Sequence, residues 1–178
     1  MRLLRFLVTT ISFLTLAAVA EAHGPTPQKV DESIDIAAPP EKVWGIIKDF
    51  GNIADWNPAL TKSVGSGGND TNATRVITFK SGGELQEGLD YYSEKEMSYL
   101  YRLSKEKVDV FPTSSYTAEI TVKPGANGGS VVKWVGRFYR ADTGNEPAPD
   151  KNDAAAIKAM KDYITTGLQG LKAKAEAK

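Results

Sequence analysis

The sequence predicts an α+β fold in which a seven-stranded antiparallel sheet curls around a long C-terminal helix, with two short helices following the first strand. Two observations carry this prediction. From Thr61 the hydrophobic period becomes two and holds for about 80 residues, broken only by Gly- and Asn-rich clusters. After a polar loop at 142–149 the period changes, and Ile157, Met160, Ile164, Leu168 and Leu171 mark one stripe of a helix.

The 178-residue chain begins with a three-zone leader. Arg2 and Arg5 form a positive head, Phe6 to Ala20 is an uncharged apolar run, and Ala20-Glu21-Ala22 offers small residues where a signal peptidase reads. Residues 1–22 are therefore expected to be a cleaved signal peptide, with export to the periplasm and a mature chain starting at His23. The alternative, an uncleaved anchor, needs about 20 apolar residues to span a bilayer. Residues 23–178 have the size of one domain, with a core expected at about 29–171 and a net charge near −1. That balance points away from nucleic acid, whose binders are strongly basic. With no cysteine and one histidine, His23, the chain lacks the groups for thiolate chemistry, a Ser-His-Asp triad or a His-rich zinc site, so no metal is expected.

Val30, Glu32, Ile34 and Ile36 alternate as a first strand. Pro39 and Pro40 open a helix whose face is Val43, Ile46, Ile47 and Phe50, and Gly51 is read as its left-handed C-terminal stop. A second short helix or turn covers Ile53 to Trp56 and ends before Pro58. Strands are predicted near 61–66, 73–80, 84–93, 97–105, 114–123 and 130–140, joined by short turns and hence antiparallel. Asp150 or Asn152 caps the last helix. Gly167 and Gly170 beside its stripe bring it close to the sheet or leave space above it, and the tail from Lys172 frays. A sheet curled over a helix tends to leave a cavity between them, where small ligands bind.

Strand parity sorts the inner face from the outer. Trp134 and Phe138 point inward with Val132 and Gly136, whereas Lys133 and Arg137 point outward with Val131, Val135 and Tyr139. The same parity turns Tyr116, Tyr99, Tyr101 and Tyr91 inward, together with Glu87. The turn at Lys80 to Gly83 places Arg75 beside Glu87. An Arg–Glu pair on an apolar face is either a polar anchor for a ligand, with a possible acid/base role, or an ion pair that satisfies itself. Without a usable histidine, the remaining acid/base candidates are Glu87, Asp49, Asp55 and the tyrosines, and no catalytic residue is assigned. The inward aromatic residues, Trp44 and Trp56 among them, either line a pocket or fill the core. Trp56, Pro58 and Phe111 are expected at the cavity mouth as apolar contact surface.

Ala37-Ala-Pro-Pro-Glu-Lys-Val-Trp44, Asp49-Phe-Gly51 and Trp56-Asn-Pro58 resemble the opening of the START-like (SRPBCC) helix-grip superfamily, in its polyketide cyclase/dehydrase branch. Arg75, Gly83, Glu87, Trp134 and Phe138 continue the pattern, and the likeness runs from Lys29 to Leu171. The resemblance implies a helix-grip fold with a hydrophobic cavity. Export combined with this opening is most similar to the MxaD family, periplasmic accessory proteins of bacterial methanol oxidation. That likeness implies a non-enzymatic aid to electron transfer that acts by transient surface contact, with no cofactor of its own and with methanol dehydrogenase and cytochrome c-L as partners. The same fold also suits a periplasmic carrier of a small apolar ligand, or a cyclase/dehydratase built on Arg75 and Glu87.

Overall fold

The computed structural model describes residues 24–177. The leader and His23 lie outside the described residues. Strand β1 (Gln28–Ile36) leads into helix α1 (Pro40–Ile47) and a 3-10 turn at Phe50–Asp55. Six strands follow: β2 (Leu60–Ser66), β3 (Thr74–Phe79), β4 (Glu84–Ser93), β5 (Ser98–Lys105), β6 (Thr113–Pro124) and β7 (Ser130–Arg140). Helix α2 (Asp153–Glu176) closes the fold. All strands join one antiparallel sheet in the order β1-β7-β6-β5-β4-β3-β2, so the predicted seven-stranded architecture is present. Only β1 is displaced from sequence order. Its full-length pairing with β7 lets it meet α2, which lies across the concave face.

Pro40 opens α1 at the position where a missing N–H costs nothing. The helix ends at Ile47, before Gly51, which does not take the left-handed conformation expected of it. Instead Asp49 accepts a hydrogen bond from the Gly51 N–H at 2.9 Å and starts the 3-10 turn. Gly51 serves close approach. A β-carbon at the facing Gly65 would lie 2.7 Å from the Gly51 Cα, so these two glycines let the turn press against β2.

Asn152 caps α2 through the Ala155 N–H. The buried side of α2 is Ala156, Met160, Tyr163, Ile164, Gly167, Leu168, Leu171 and Ala175. Ile157, predicted on this stripe, is 36% exposed, because the contact face is centred one position earlier on the helical wheel. Tyr163, absent from the predicted stripe, belongs to the core. The tail does not fray. Ala175 is fully buried, and Glu176 accepts a hydrogen bond from the Ala37 N–H at 2.7 Å. Gly167 and Gly170 do allow close packing: a β-carbon at Gly167 would stand 2.7 Å from the Trp134 ring, and one at Gly170 only 2.3 Å from Pro58 and the Trp56 carbonyl.

Candidate functional site

The strands deliver most of the predicted inner set. Tyr99, Tyr101, Tyr116, Trp134 and Phe138 are buried, as are Arg75 and Glu87. Tyr91 is the exception at 46% exposed. A β-bulge between Leu89 and Tyr91 adds a residue to β4, since Leu89 pairs with Tyr101 but Tyr91 with Leu100. Parity reverses there. Tyr91 turns outward, and Tyr92 packs instead on Trp44 at 5.6 Å between ring centres.

Arg75 and Glu87 face each other in register across β3 and β4 and are both 0% exposed. Arg75 Nε donates to Glu87 Oε2 at 2.5 Å, and Nη1 donates to the Phe50 carbonyl at 2.9 Å. The guanidinium lies between two rings, 4.2 Å from the Phe50 centre and 4.6 Å from that of Tyr101. The second Glu87 oxygen accepts from the Tyr116 hydroxyl at 2.5 Å. Burial is the largest single influence on Arg75 and works against its charge, but the Glu87 carboxylate, joined by Tyr101, Tyr99 and Tyr163, outweighs it and holds the guanidinium protonated. Burial, with Glu87 second, pushes Tyr101 and Tyr116 well above the usual phenol range, and burial pushes Tyr99 up to about 12 against the opposing charge of Arg75. The turn that supplies the Phe50 carbonyl is itself pinned: Asn69 accepts from the Phe50 N–H at 2.9 Å, and Ser63 donates to the Gly51 carbonyl at 2.5 Å. The Asp-Phe-Gly segment therefore builds one wall of the arginine site. Phe50 is a member that strand parity could not find, because it lies on no strand.

The centre of the grip is thus filled. Phe50, Tyr101 and Tyr116 enclose the ion pair, and Ile77, Leu89 and Ile120 of the core have no exposed surface, where a cavity was expected. Open space lies at the mouth instead. A pocket of about 350 Å³ is lined by Phe79 at the β3–β4 turn, Val110, Phe111 and Pro112 before β6, and Ala159 and Tyr163 of α2. Phe79 and Phe111 stack at 5.7 Å, and Tyr163 lies within 6.0 Å of both. Phe111 also meets the Tyr116 ring edge-on at 6.0 Å, so one aromatic layer separates the pocket from Glu87. The Tyr163 ring borders the pocket, while its hydroxyl is buried beside the Asn57 side chain.

Trp56 and Phe111, expected to present apolar surface, are 3% and 7% exposed. Trp56 is covered by α2 at Gly170 and packs on Trp134 at 5.5 Å, and Phe111 faces the pocket rather than a partner. Only Pro58 of that set is exposed. Asp49 and Asp55 are exposed and outside the Arg75–Glu87–Tyr116 network. Among the described residues no group of three or more His, Asp or Glu could hold a metal, and no helix is long and apolar enough to cross a membrane.

No curated protein is significantly similar to the chain. Among solved structures, XoxI from Bacillus cereus is 26% identical with a TM-score of 0.69, over 82% of this chain and 94% of that one. An uncharacterised protein from Bacillus thuringiensis is also 26% identical, with a TM-score of 0.70 over 84% of this chain and 100% of that one. A protein from Nitrosospira multiformis, 23% identical with a TM-score of 0.67 over 84% and 97%, shares the fold. Residues 27–176 match the family described as polyketide cyclase / dehydrase and lipid transport, and with the helix-grip architecture above, the chain belongs to that family.

Proposed function

We propose that this protein binds a small, mainly apolar ligand at the mouth of the grip and does not transform it. The aromatic pocket above a sealed ion pair carries this reading. Its volume of about 350 Å³ is at the low end for small-molecule sites, and its lining combines aromatic and aliphatic side chains with Lys80, Ser81, Asp162 and Thr166. A general base must reach the proton it takes, whereas both Glu87 oxygens are already engaged and shielded. Extraction and mass spectrometry of protein purified from its own source should yield a small apolar compound. Val110→Trp, which fills the pocket, should abolish its retention. A ligand-free protein, or retention unaffected by Val110→Trp, would remove this reading.

The leader and Ala20-Glu21-Ala22 support export with cleavage before His23. N-terminal sequencing of the periplasmic fraction checks this, and an intact Met1 in a membrane fraction would overturn it. The narrower role, helping methanol dehydrogenase reduce cytochrome c-L, is supported by that leader joined to the family's opening residues. With Trp56 and Phe111 buried, it would have to use other surface. Adding the protein to the two purified partners should raise the rate of cytochrome reduction, and an unchanged rate at every ratio ends that reading.

A further inference from the structure

The outer face of the sheet carries a groove that the mouth pocket does not use. Two depressions of about 620 and 380 Å³ lie across β1, β5, β6 and β7 and share Thr117 and Arg137. The larger is lined by four cations, Lys29, Lys123, Lys133 and Arg137, against one acid, Glu119. Leu100, Val131 and Val135 give it apolar surface. Part of the charge is answered locally. Asp31 bonds Lys29 at 2.5 Å and Lys133 at 3.0 Å, and Asp90 pairs with Arg102 beside the smaller depression. Arg137 has no ion pair or side-chain hydrogen bond among the described residues. The ladder also sets it directly opposite Lys29, and like charges directly opposite each other destabilise a sheet. The face therefore holds an unmatched cation at the junction of two depressions, in a chain of zero formal net charge.

We propose that this outer face docks an acidic segment of a partner protein, with Arg137 as the central anchor. A carboxylate placed at Arg137 would relieve its opposition to Lys29, and an apolar side chain next to it would cover Val131 and Val135. Extent decides for a protein: the two depressions lie side by side over four strands, with Leu100, Val131 and Val135 among the cations, a span that a single small anion would not cover. A paired depression joined at one arginine fits an extended segment with spaced carboxylates. The sheet separates this face from the mouth pocket, so the proposal stands whether or not a ligand binds there.

The test is amide-resolved NMR of the mature chain titrated with a capped heptapeptide alternating Glu with Leu and Val, and with its Gln-for-Glu counterpart. The Glu peptide should shift amides on β1, β6 and β7 around Arg137. Its affinity should weaken several-fold between low salt and about 0.15 M, as screening sets in. Arg137→Glu should cut affinity about tenfold or more without lowering the melting temperature, since it faces Lys29 with an opposite charge, and Glu119→Lys should raise the affinity. Equal binding of the Gln peptide, shifts confined to the mouth, or no shifts at all would overturn the proposal. So would the same shifts with inorganic phosphate, or Arg137-dependent binding to phosphatidylglycerol vesicles without peptide binding.

Discussion

Replacing Glu87 by alanine removes the only carboxylate that answers a fully buried arginine. Breaking a buried pair from one side costs about 3–5 kcal/mol, since the remaining charge stays desolvated. The same change takes the acceptor from the Tyr116 hydroxyl, a further loss of about 1–3 kcal/mol that overlaps with the first because one group serves both. Against this, Arg75 keeps the Phe50 carbonyl at 2.9 Å and the two ring faces. The balance is a loss of about 4 kcal/mol. In a domain of this size that corresponds to a fall in Tm of roughly 8–16 °C, or to a fall of about 2 M in the urea midpoint for m near 2 kcal/mol/M. Urea unfolding followed by tryptophan fluorescence reads it. Replacing both partners, as in Arg75→Met with Glu87→Leu, should recover the stability to within about 2 kcal/mol of the parent, because neither charge is then stranded. An E87A midpoint within about 0.5 M of the parent, or a double variant as unstable as the single one, would refute the reasoning.

The two glycines of α2 make a paired test with Gly45 of α1. Gly167→Ala and Gly170→Ala should destabilise by about 1–3 kcal/mol despite better helix propensity, because their β-carbons would meet Trp134 and Pro58. Gly45→Ala, with nothing within 4 Å of its β-carbon, should stabilise by about 1 kcal/mol. Equal effects in thermal melts would discount the contacts. For the tyrosines, folded values lie above the unfolded value of 10.0, so their contribution is full below pH 10.0 and is lost as pH rises toward about 12. Tyrosinate absorbance from Tyr99, Tyr101, Tyr116 and Tyr163 should therefore appear together with alkaline unfolding, and ionisation of all tyrosines while tryptophan fluorescence stays native would contradict it.

Strand order and facing were legible because a half-buried sheet writes its two faces as alternation, and Arg75 opposite Glu87 follows from a four-residue turn. The misread residues share a cause: each depends on contact between elements rather than on a period within one. Tyr91 is displaced by a bulge, for which the adjacent Tyr91-Tyr92 pair is the only trace in the sequence. Gly51 carries the look of a helix stop, yet its partner is Gly65 on another element. Ile157 satisfies the helical spacing but lies beyond the edge of the contact face, while Ala156 and Tyr163, weaker hydrophobic signals, are buried. The tail reads as a solvated Lys/Ala run, and its contacts with Asp35 and Ala37 around the end of β1 and with the Asp55 carbonyl of the 3-10 turn order it.

The inner aromatic residues admitted two readings, pocket lining or core, and the arginine decides between them. A guanidinium held between Phe50 and Tyr101 occupies the middle of the grip, where this architecture would otherwise leave room. Once Arg75 is there it needs a carboxylate, and once Glu87 is buried its second oxygen needs a donor, which Tyr116 supplies. Each polar group thus calls for the next, and the network ends one ring short of the mouth, where Phe111 seals it. The residues that carry the family resemblance therefore explain the fold more than the activity. What distinguishes this chain in function has to lie where the network stops: at the aromatic pocket of the mouth, and at the unmatched Arg137 on the opposite side of the sheet.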